Sequence, residues 1–350
     1  MKKILMGATA LAMVGASGAA AQEWSMNVGG FFTSGVGYVD GASVNTNGGS
    51  INQQADVALV ANGEIIFNAR LVADNGLTFG VRVDVEANRG RNGGAEHIDE
   101  HSAFISGSFG EVRVGGTPGA HERMRIFAAG GTTFTTAADE GGLLFDNSAS
   151  VSPATAFGNT GVNSGKTLKV QYLTPNIAGF QAGISYGNGA RGALNNSEAL
   201  LDDEGENIEL GARYRNTFGD VSFELGGGYS NFLNANAGNN VRDSWTIGGN
   251  VGFAGFKVGA MYGHTNFRGG AEDRNGYAVG ANYNTGPWGF GLQYAQGTGG
   301  TVDGDYGVSA GVDYRLAPGV TVGAVAEYSE ADVAGNSDAW AFGVLTRFDF

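Results

Sequence analysis

Three arginines, Arg70, Arg82 and Arg113, are the side chains whose type and spacing point most directly to work at a charged site. Arg70 and Arg82 flank an Asn75-Gly76 dipeptide, and both fall on the polar side of alternating runs. That dipeptide between alternating runs marks a tight hairpin. Paired residues face the same way, so any tight register across it sets the two guanidiniums opposite one another or one step offset. Like charges so placed destabilise a sheet, which suggests a purpose for them. Arg113, on the polar side of a later run that leads into a long connection, could join them. The plainer alternative is that Arg70 and Arg82 balance Asp84, Glu86 and Glu64 on a wide, wet face.

Other residues offer chemistry less securely. Asp202, Asp203, Glu204 and Glu206 form a carboxylate cluster that could bind Ca²⁺, although it lacks the ordered spacing of a dedicated calcium loop, and a solvated acidic loop is the blander reading. The stretches Gly183-Ile-Ser185-Tyr-Gly187 and Gly307-Val-Ser309-Ala-Gly311 match the serine-hydrolase elbow. An elbow needs a sharp strand-to-helix turn. Both serines lie inside alternating runs, in a chain so rich in glycine that the pattern is expected by chance. His97 and His101 would bind a metal only on a helix, and no helical periodicity surrounds them; they are expected to cap the loop entering a strand. No phosphate-binding loop or zinc motif is present.

The elements that must position these residues are strands. From Leu77 to Ala87 every odd position is apolar, and the even positions include Thr78, Arg82, Asp84 and Glu86. This period-two pattern returns down to the end of the chain, where Trp340, Phe342, Val344, Phe348 and Phe350 share one face. Read this way the chain holds about sixteen strands, the expectation being a transmembrane antiparallel β-barrel. The connections alternate between short (Asn75-Gly76, Ala254-Gly255, Thr285-Gly286-Pro287) and long (Thr117 to Lys166, Asn188 to Glu206). Short periplasmic turns with long external loops are the outer-membrane pattern, whereas a soluble sandwich or propeller has no reason to sort its loops so. Tyr186, Tyr229, Tyr262, Tyr294 and Tyr328 stand where strands enter long loops, and Tyr172, Tyr214, Tyr283 and Tyr314 where they enter short turns. Two belts of amphipathic rings suit two lipid interfaces.

Composition agrees. Lys2 and Lys3, an apolar stretch from Ile4 and Ala19-Ala20-Ala21 read as a signal peptide over residues 1–21, leaving 22–350 as one barrel domain. No later apolar run is long enough for a membrane helix. Cysteine is absent, so an exported chain of this size needs another source of stability, which a closed sheet with paired backbone supplies. Glycine accounts for 63 of 350 residues, suiting a curved sheet and close backbone approach. The formal charge of −14, more negative still once Lys2 and Lys3 are removed, makes a poor nucleic-acid binder.

Ala103-Phe-Ile-Ser-Gly-Ser-Phe-Gly-Glu-Val-Arg-Val-Gly115 and Leu168-Lys-Val-Gln-Tyr-Leu-Thr-Pro-Asn-Ile-Ala-Gly-Phe180 resemble the paired hairpins of Gram-negative trimeric general-diffusion porins, with the terminal Phe350 as a third match. The acidic, glycine-rich composition is similar to that of α-proteobacterial porins. The resemblance implies a sixteen-stranded homotrimer in the outer membrane, in contact with lipid and lipopolysaccharide, passing small hydrophilic solutes and ions. It also implies that the long third external loop, Thr117 to Lys166, folds into the lumen and narrows it. Porins of this kind set a basic wall against acids on that loop, which makes Arg70, Arg82 and Arg113 candidates for the wall and Asp139, Glu140 and Asp146 for the acid side. The chain departs from many enterobacterial porins in having no Pro-Glu-Phe-Gly-type stretch between Thr117 and Lys166, so the bend of the loop does not carry over.

The function expected is passive diffusion with a mild cation preference from the acidic loops. No cofactor is required, apart from structural Ca²⁺ if the 202–206 cluster holds it. A substrate-specific channel, for example for sugars, is the nearest alternative, and it would show aromatics along the path. A barrel hydrolase is the rival from another class, for which His264 is the best-placed histidine.

Overall fold

The computed structural model describes residues 23–40, 44–45, 50–51, 57–86, 98–135, 165–187, 206–233, 242–267, 272–300, 303–331 and 337–350. The strands are β1 (Ser25–Asp40), β2 (Val44–Asn45), β3 (Ser50–Ile51), β4 (Val57–Val72), β5 (Thr78–Glu86), β6 (Ile98–Gly107), β7 (Gly110–Gly116), β8 (Leu168–Leu173) and β9 (Phe180–Gly187). They continue as β10 (Asn207–Phe218), β11 (Val221–Phe232), β12 (Arg242–Phe253), β13 (Phe256–Phe267), β14 (Arg274–Thr285), β15 (Trp288–Thr298), β16 (Tyr306–Ala317), β17 (Val320–Ala331) and β18 (Ser337–Asp349). One short helix, α1 (Ala120–Met124), lies between β7 and β8. The pair β2–β3 stands apart, and the other sixteen strands form a closed antiparallel barrel in which each pairs with its neighbours in sequence and β1 pairs with β18.

The seam closes through the last residue. Gly30 N–H donates to the Phe350 carbonyl at 3.0 Å, and Phe350 N–H donates back to Gly30 at 3.1 Å. A spanning sheet has no water to satisfy an open edge, so closure pairs the backbone groups that would otherwise be stranded in hydrocarbon.

Alternation decides which face is which. On β1, Met26, Val28, Phe32, Val36 and Tyr38 are exposed, and their register partners on β4 and β18 include Phe67, Leu59, Phe342 and Val344, which are exposed too. This continuous apolar surface is the outer wall. Residues of the opposite parity, such as Thr33, Asp84, Glu100, Gln171, Glu209 and Gln293, turn inward and are buried. Aromatic rings mark both rims of the outer wall. Tyr328 stacks obliquely on Trp340 at 4.4 Å near the long connections, while Phe256 stacks on Tyr283 at 4.3 Å and Trp288 meets Tyr314 edge-on at 4.7 Å beside the short turns.

The strands run further than the alternation alone marks out. β6 begins at Ile98, so His101 is no loop cap. It sits within the strand as the register partner of Val83 and Gly116 on the outer parity, while His97 lies outside the described residues. Likewise β10 continues to Phe218 and β11 to Phe232, because register pairing carries each hairpin past the last alternating apolar residue.

Of the connection from Thr117 to Lys166, the structure describes 117–135 and 165–166. Residues 117–135 run along the inner parity of β8 to β17. Ala120 N–H donates to Ser185 Oγ (2.9 Å), Ala129 N–H to Asn250 Oδ1 (2.8 Å), Gly130 N–H to Asn282 Oδ1 (2.6 Å) and Thr133 N–H to Asp313 Oδ2 (2.6 Å). These polar inward side chains act as a ladder for a segment with few backbone partners of its own, meeting the requirement that buried N–H groups be paired. Two small apolar clusters pin it further. Ala128 joins Met261, Ala278 and Ala295, and Phe134 joins Val39, Val325, Ala339, Ala341 and Leu345.

Glycine makes room for this. A Cβ at Gly211 would collide with the Ala120 carbonyl, at Gly226 with that of Met124, at Gly248 with that of Ile126, at Gly280 with that of Ala129 and at Gly291 with that of Gly130. All five lie on the inner parity of strands between β10 and β15. They form a shallow trough that lets the segment's backbone lie against the wall.

Candidate functional site

The hairpin at Asn75-Gly76 resolves the arginine geometry. Arg70 pairs with Gly80 and Arg82 with Asn68, the offset arrangement, so the two cations are diagonal neighbours on the inner face. Their surroundings differ. Arg70 is exposed and reaches Thr78 Oγ1 at 3.5 Å, toward the short turn. Arg82 donates through Nε and Nη2 to Asp84 Oδ2 at 2.9 and 2.7 Å and lies 3.7 Å from Glu100 Oε2.

Glu100 is the centre of the site, and the reading of the sequence did not single it out. It sits on β6 directly opposite Asp84 of β5 and is 5% exposed. Thr117 Oγ1 donates to its Oε1 at 2.7 Å, Arg123 Nη2 at 3.2 Å, and Arg113 Nη1 lies 4.0 Å away. Arg113 also donates to Ser102 Oγ (2.8 Å) and Glu111 Oε1 (2.9 Å), and its guanidinium covers the Phe104 ring at 4.7 Å. Phe104 can lie so because its register partner is Gly80, where a side chain would strike the ring.

Arg82 and Arg113 are therefore brought together, joined by Arg123 from α1, and Arg70 is not. The wall is not simply basic. Asp84, Glu100 and Glu111 alternate with the three guanidiniums. Burial lowers the Arg123 pKa from its ordinary value and Glu100 opposes the shift. Paired charges on adjacent elements fix the side chains in place, and Arg82, with 35% of its side chain accessible, still faces the open interior.

Further inward cations extend the charged surface. Arg213 donates to the Arg123 carbonyl (3.1 Å) and to Gln181 Oε1 (2.8 Å), and Arg215 and Lys257 flank Glu224 at 3.3 and 3.4 Å. Asp139, Glu140 and Asp146, the expected acid side, lie outside the described residues, as do Asp202, Asp203 and Glu204. Glu206 accepts a hydrogen bond from Tyr186 Oη at 3.1 Å, and among the described residues no group of three or more potential metal-binding side chains occurs.

The segment that carries Arg123 is held by a buried histidine. His121 is fully buried, its Nδ1 2.7 Å from Ser230 Oγ and its Nε2 2.7 Å from Thr246 Oγ1, and its backbone N–H donates to Glu209 Oε2 at 3.1 Å. Burial, aided by the Arg125 charge, pulls its pKa from 6.5 to about 3. The ring is neutral and serves as donor to one hydroxyl and acceptor from the other.

The serines of the two elbow-like stretches have other positions. Ser185 lies within β9 and Ser309 within β16, neither on a strand-to-helix turn. His264 is on the outer parity of β13, beside Trp245 at 6.1 Å and bonded to Asn275 Oδ1 at 2.8 Å. Among the described residues His264 is bonded to Asn275 and Ser185 to the Ala120 N–H, so neither of these side chains is joined to the other as base and nucleophile.

A model of the Gram-negative porin family matches residues 7–334. No curated protein matches the chain. Among solved structures it is similar to an anion-selective porin from Comamonas acidovorans, at 19% identity over 94% of this chain and 100% of that one, with a TM-score of 0.67. It is also similar to an engineered variant of the Rh. blastica porin (19% identity, 93% and 100% covered, TM-score 0.63). OmpT of Vibrio cholerae in its trimer form gives 14% identity, 93% and 99% covered, and a TM-score of 0.63.

Proposed function

The chain belongs to the Gram-negative porin family and forms a diffusion channel in the outer membrane, and from that premise we propose that its narrowest passage lies between the segment 117–135 and the inner wall of β4 to β7. The observation that carries this reading is the meeting of Arg82, Arg113 and Arg123 at Glu100. Opposed charges in a narrow, weakly screened passage orient dipolar solutes and slow apolar ones. Arg70, offset from Arg82 toward the short turns, meets solutes away from that point. Asp139, Glu140 and Asp146 follow the segment in sequence and supply the opposing acid row.

The solutes are small, hydrophilic and not individually recognised. Support comes from the inner parity of the described strands, which carries mostly Gly, Ser, Asn, Gln and charged residues, the Phe104 ring being covered by Arg113. The net charge of −14 favours cations mildly. The Comamonas porin, anion-selective on the same fold, is a reminder that selectivity belongs to the lining charges and not to the barrel. Residues 1–21 are removed on export, and 22–350 assemble as a trimer, in line with the trimer form of the Vibrio OmpT. Asp202, Asp203, Glu204 and Glu206 form an outer acidic loop able to hold Ca²⁺ against lipopolysaccharide phosphates.

Liposome swelling with uncharged sugars of increasing size tests the reading. Uptake rates that fall smoothly with size are expected. Saturable uptake of one sugar alone would instead indicate a substrate-specific channel.

A further inference from the structure

Across β15, β16 and β17 the inner wall carries a row of polar side chains that the diffusion channel does not use. Gln293 is the register partner of Ser309, and Ser309 of Glu327, so the three stand side by side with adjacent Cβ atoms about 5 Å apart. Ser329 follows Glu327 on the same face, about 7 Å along the strand. All four are buried, at 2%, 0%, 2% and 1% exposure in that order of position. Five of their oxygens nevertheless have no hydrogen-bond partner among the described residues: Gln293 Oε1, Ser309 Oγ, both carboxylate oxygens of Glu327, and Ser329 Oγ.

Their surroundings sharpen the anomaly. Gln293 Nε2 donates to the Ala128 and Ala129 carbonyls at 2.8 and 3.1 Å, which commits the amide nitrogen to the segment and leaves the oxygen over. Beside Glu327 lie Val325 on its own strand and its register partner Ala341, both in the apolar cluster with Phe134. Among the described residues no Lys, Arg or His bonds either Glu327 oxygen, and residues 136–164, which follow the segment, contain no basic residue or histidine in their sequence. A buried carboxylate must be neutralised, by a proton or by a cation.

Hydroxyl, amide and carboxylate oxygens gathered without a nitrogen or sulfur ligand are the donor set of a hard cation. With a single carboxylate in the set, a singly charged ion leaves no uncompensated charge in the wall. We propose that Glu327, with Gln293, Ser309 and Ser329, holds one alkali-metal cation between the barrel wall and residues 128–135. The ion ties the segment to the wall through Gln293, whose two ends face the ion and the segment backbone.

Two measurements on the purified, detergent-solubilised protein test this. In crystals carrying thallium(I) nitrate in place of sodium salt, an anomalous peak is expected in contact with the Glu327 carboxylate, and it is absent from Glu327→Gln. In thermal unfolding, sodium chloride should raise the midpoint over N-methyl-glucamine chloride at equal ionic strength, saturably, and Glu327→Gln should abolish the difference. If that variant does not fold, Ser309→Ala/Ser329→Ala should raise the half-saturating sodium concentration at least threefold. No thallium at Glu327, with equal midpoints in the two salts, would mean that the carboxyl is simply protonated and would overturn the proposal. So would a thallium peak or a sodium effect that survives Glu327→Gln.

Discussion

Gly248 lies directly beneath Ile126, whose carbonyl oxygen occupies the space a Cβ at position 248 would take. The contact is between backbones, and neither partner can yield by rotating a side chain. Gly248→Ala should therefore lift the segment off β12, at an overpacking cost of about 1–3 kcal/mol. The strand itself is held on both sides by β11 and β13, so the barrel stays closed. Faster hydrogen exchange across residues 118–130 and a changed single-channel conductance are expected. Unchanged exchange there would show that the trough does not seat the segment.

His121 gives the same segment a pH dependence whose sign follows from its pKa. The ring is held at about 3 in the folded state against 6.5 ordinarily, so the detached or unfolded form binds the extra proton between those values. The stabilisation is fully present above about 6.5 and is lost progressively as pH falls toward 3, at up to about 1.4 kcal/mol per pH unit. Exchange protection of residues 118–130 should decline over that window. His121→Gln, which cannot titrate, should flatten the profile. An identical decline in that variant would place the acid response elsewhere.

Glu100 is the acid that holds Arg82, Arg113 and Arg123 together. Glu100→Gln keeps the shape of the side chain and removes its charge, leaving a net positive wall. The reversal potential in a salt gradient should move toward anion preference, while Arg82→Glu should move it toward cations. If both leave selectivity and conductance unchanged, these arginines serve only to balance nearby acids. In that event the passage is set elsewhere.

Much of this architecture was legible in the chain, and the part that was not has a physical reason. The alternation from Leu77 to Ala87 identified β5 and its two faces, because a strand in lipid writes its environment locally, one residue in two. Asn75-Gly76 limited the Arg70–Arg82 relation to two registers, and the fold adopts the offset one. The importance of Glu100, Arg123 and His121 could not be read the same way. Each acquires its role from a partner on another strand or on the inserted segment, as His121 does from Ser230 and Thr246, more than a hundred residues away. Glycine was the signal closest to hand. Gly211, Gly226, Gly248, Gly280 and Gly291 all fall on inward positions of nearby strands, a regularity that curvature alone does not require.

The closing seam offers an independent check of the barrel. Deleting Phe350 removes the two backbone hydrogen bonds with Gly30 and an exposed apolar ring from the outer wall. At about 0.5–1.5 kcal/mol for each hydrogen bond, the heat-resistant folded band on unboiled gels should be lost at a lower temperature than in the full chain. A variant as heat-resistant as the full chain would argue that the seam is held by β1 and β18 upstream of that residue.

Single-channel recording in a planar bilayer, with the reversal potential measured across a salt gradient, tests the central claim most directly. A water-filled trimeric channel predicts large, stable, ohmic steps grouped in threes, with a weak cation preference that fades as salt rises. No steps from correctly folded protein, or small currents blocked by a single added solute, would contradict it.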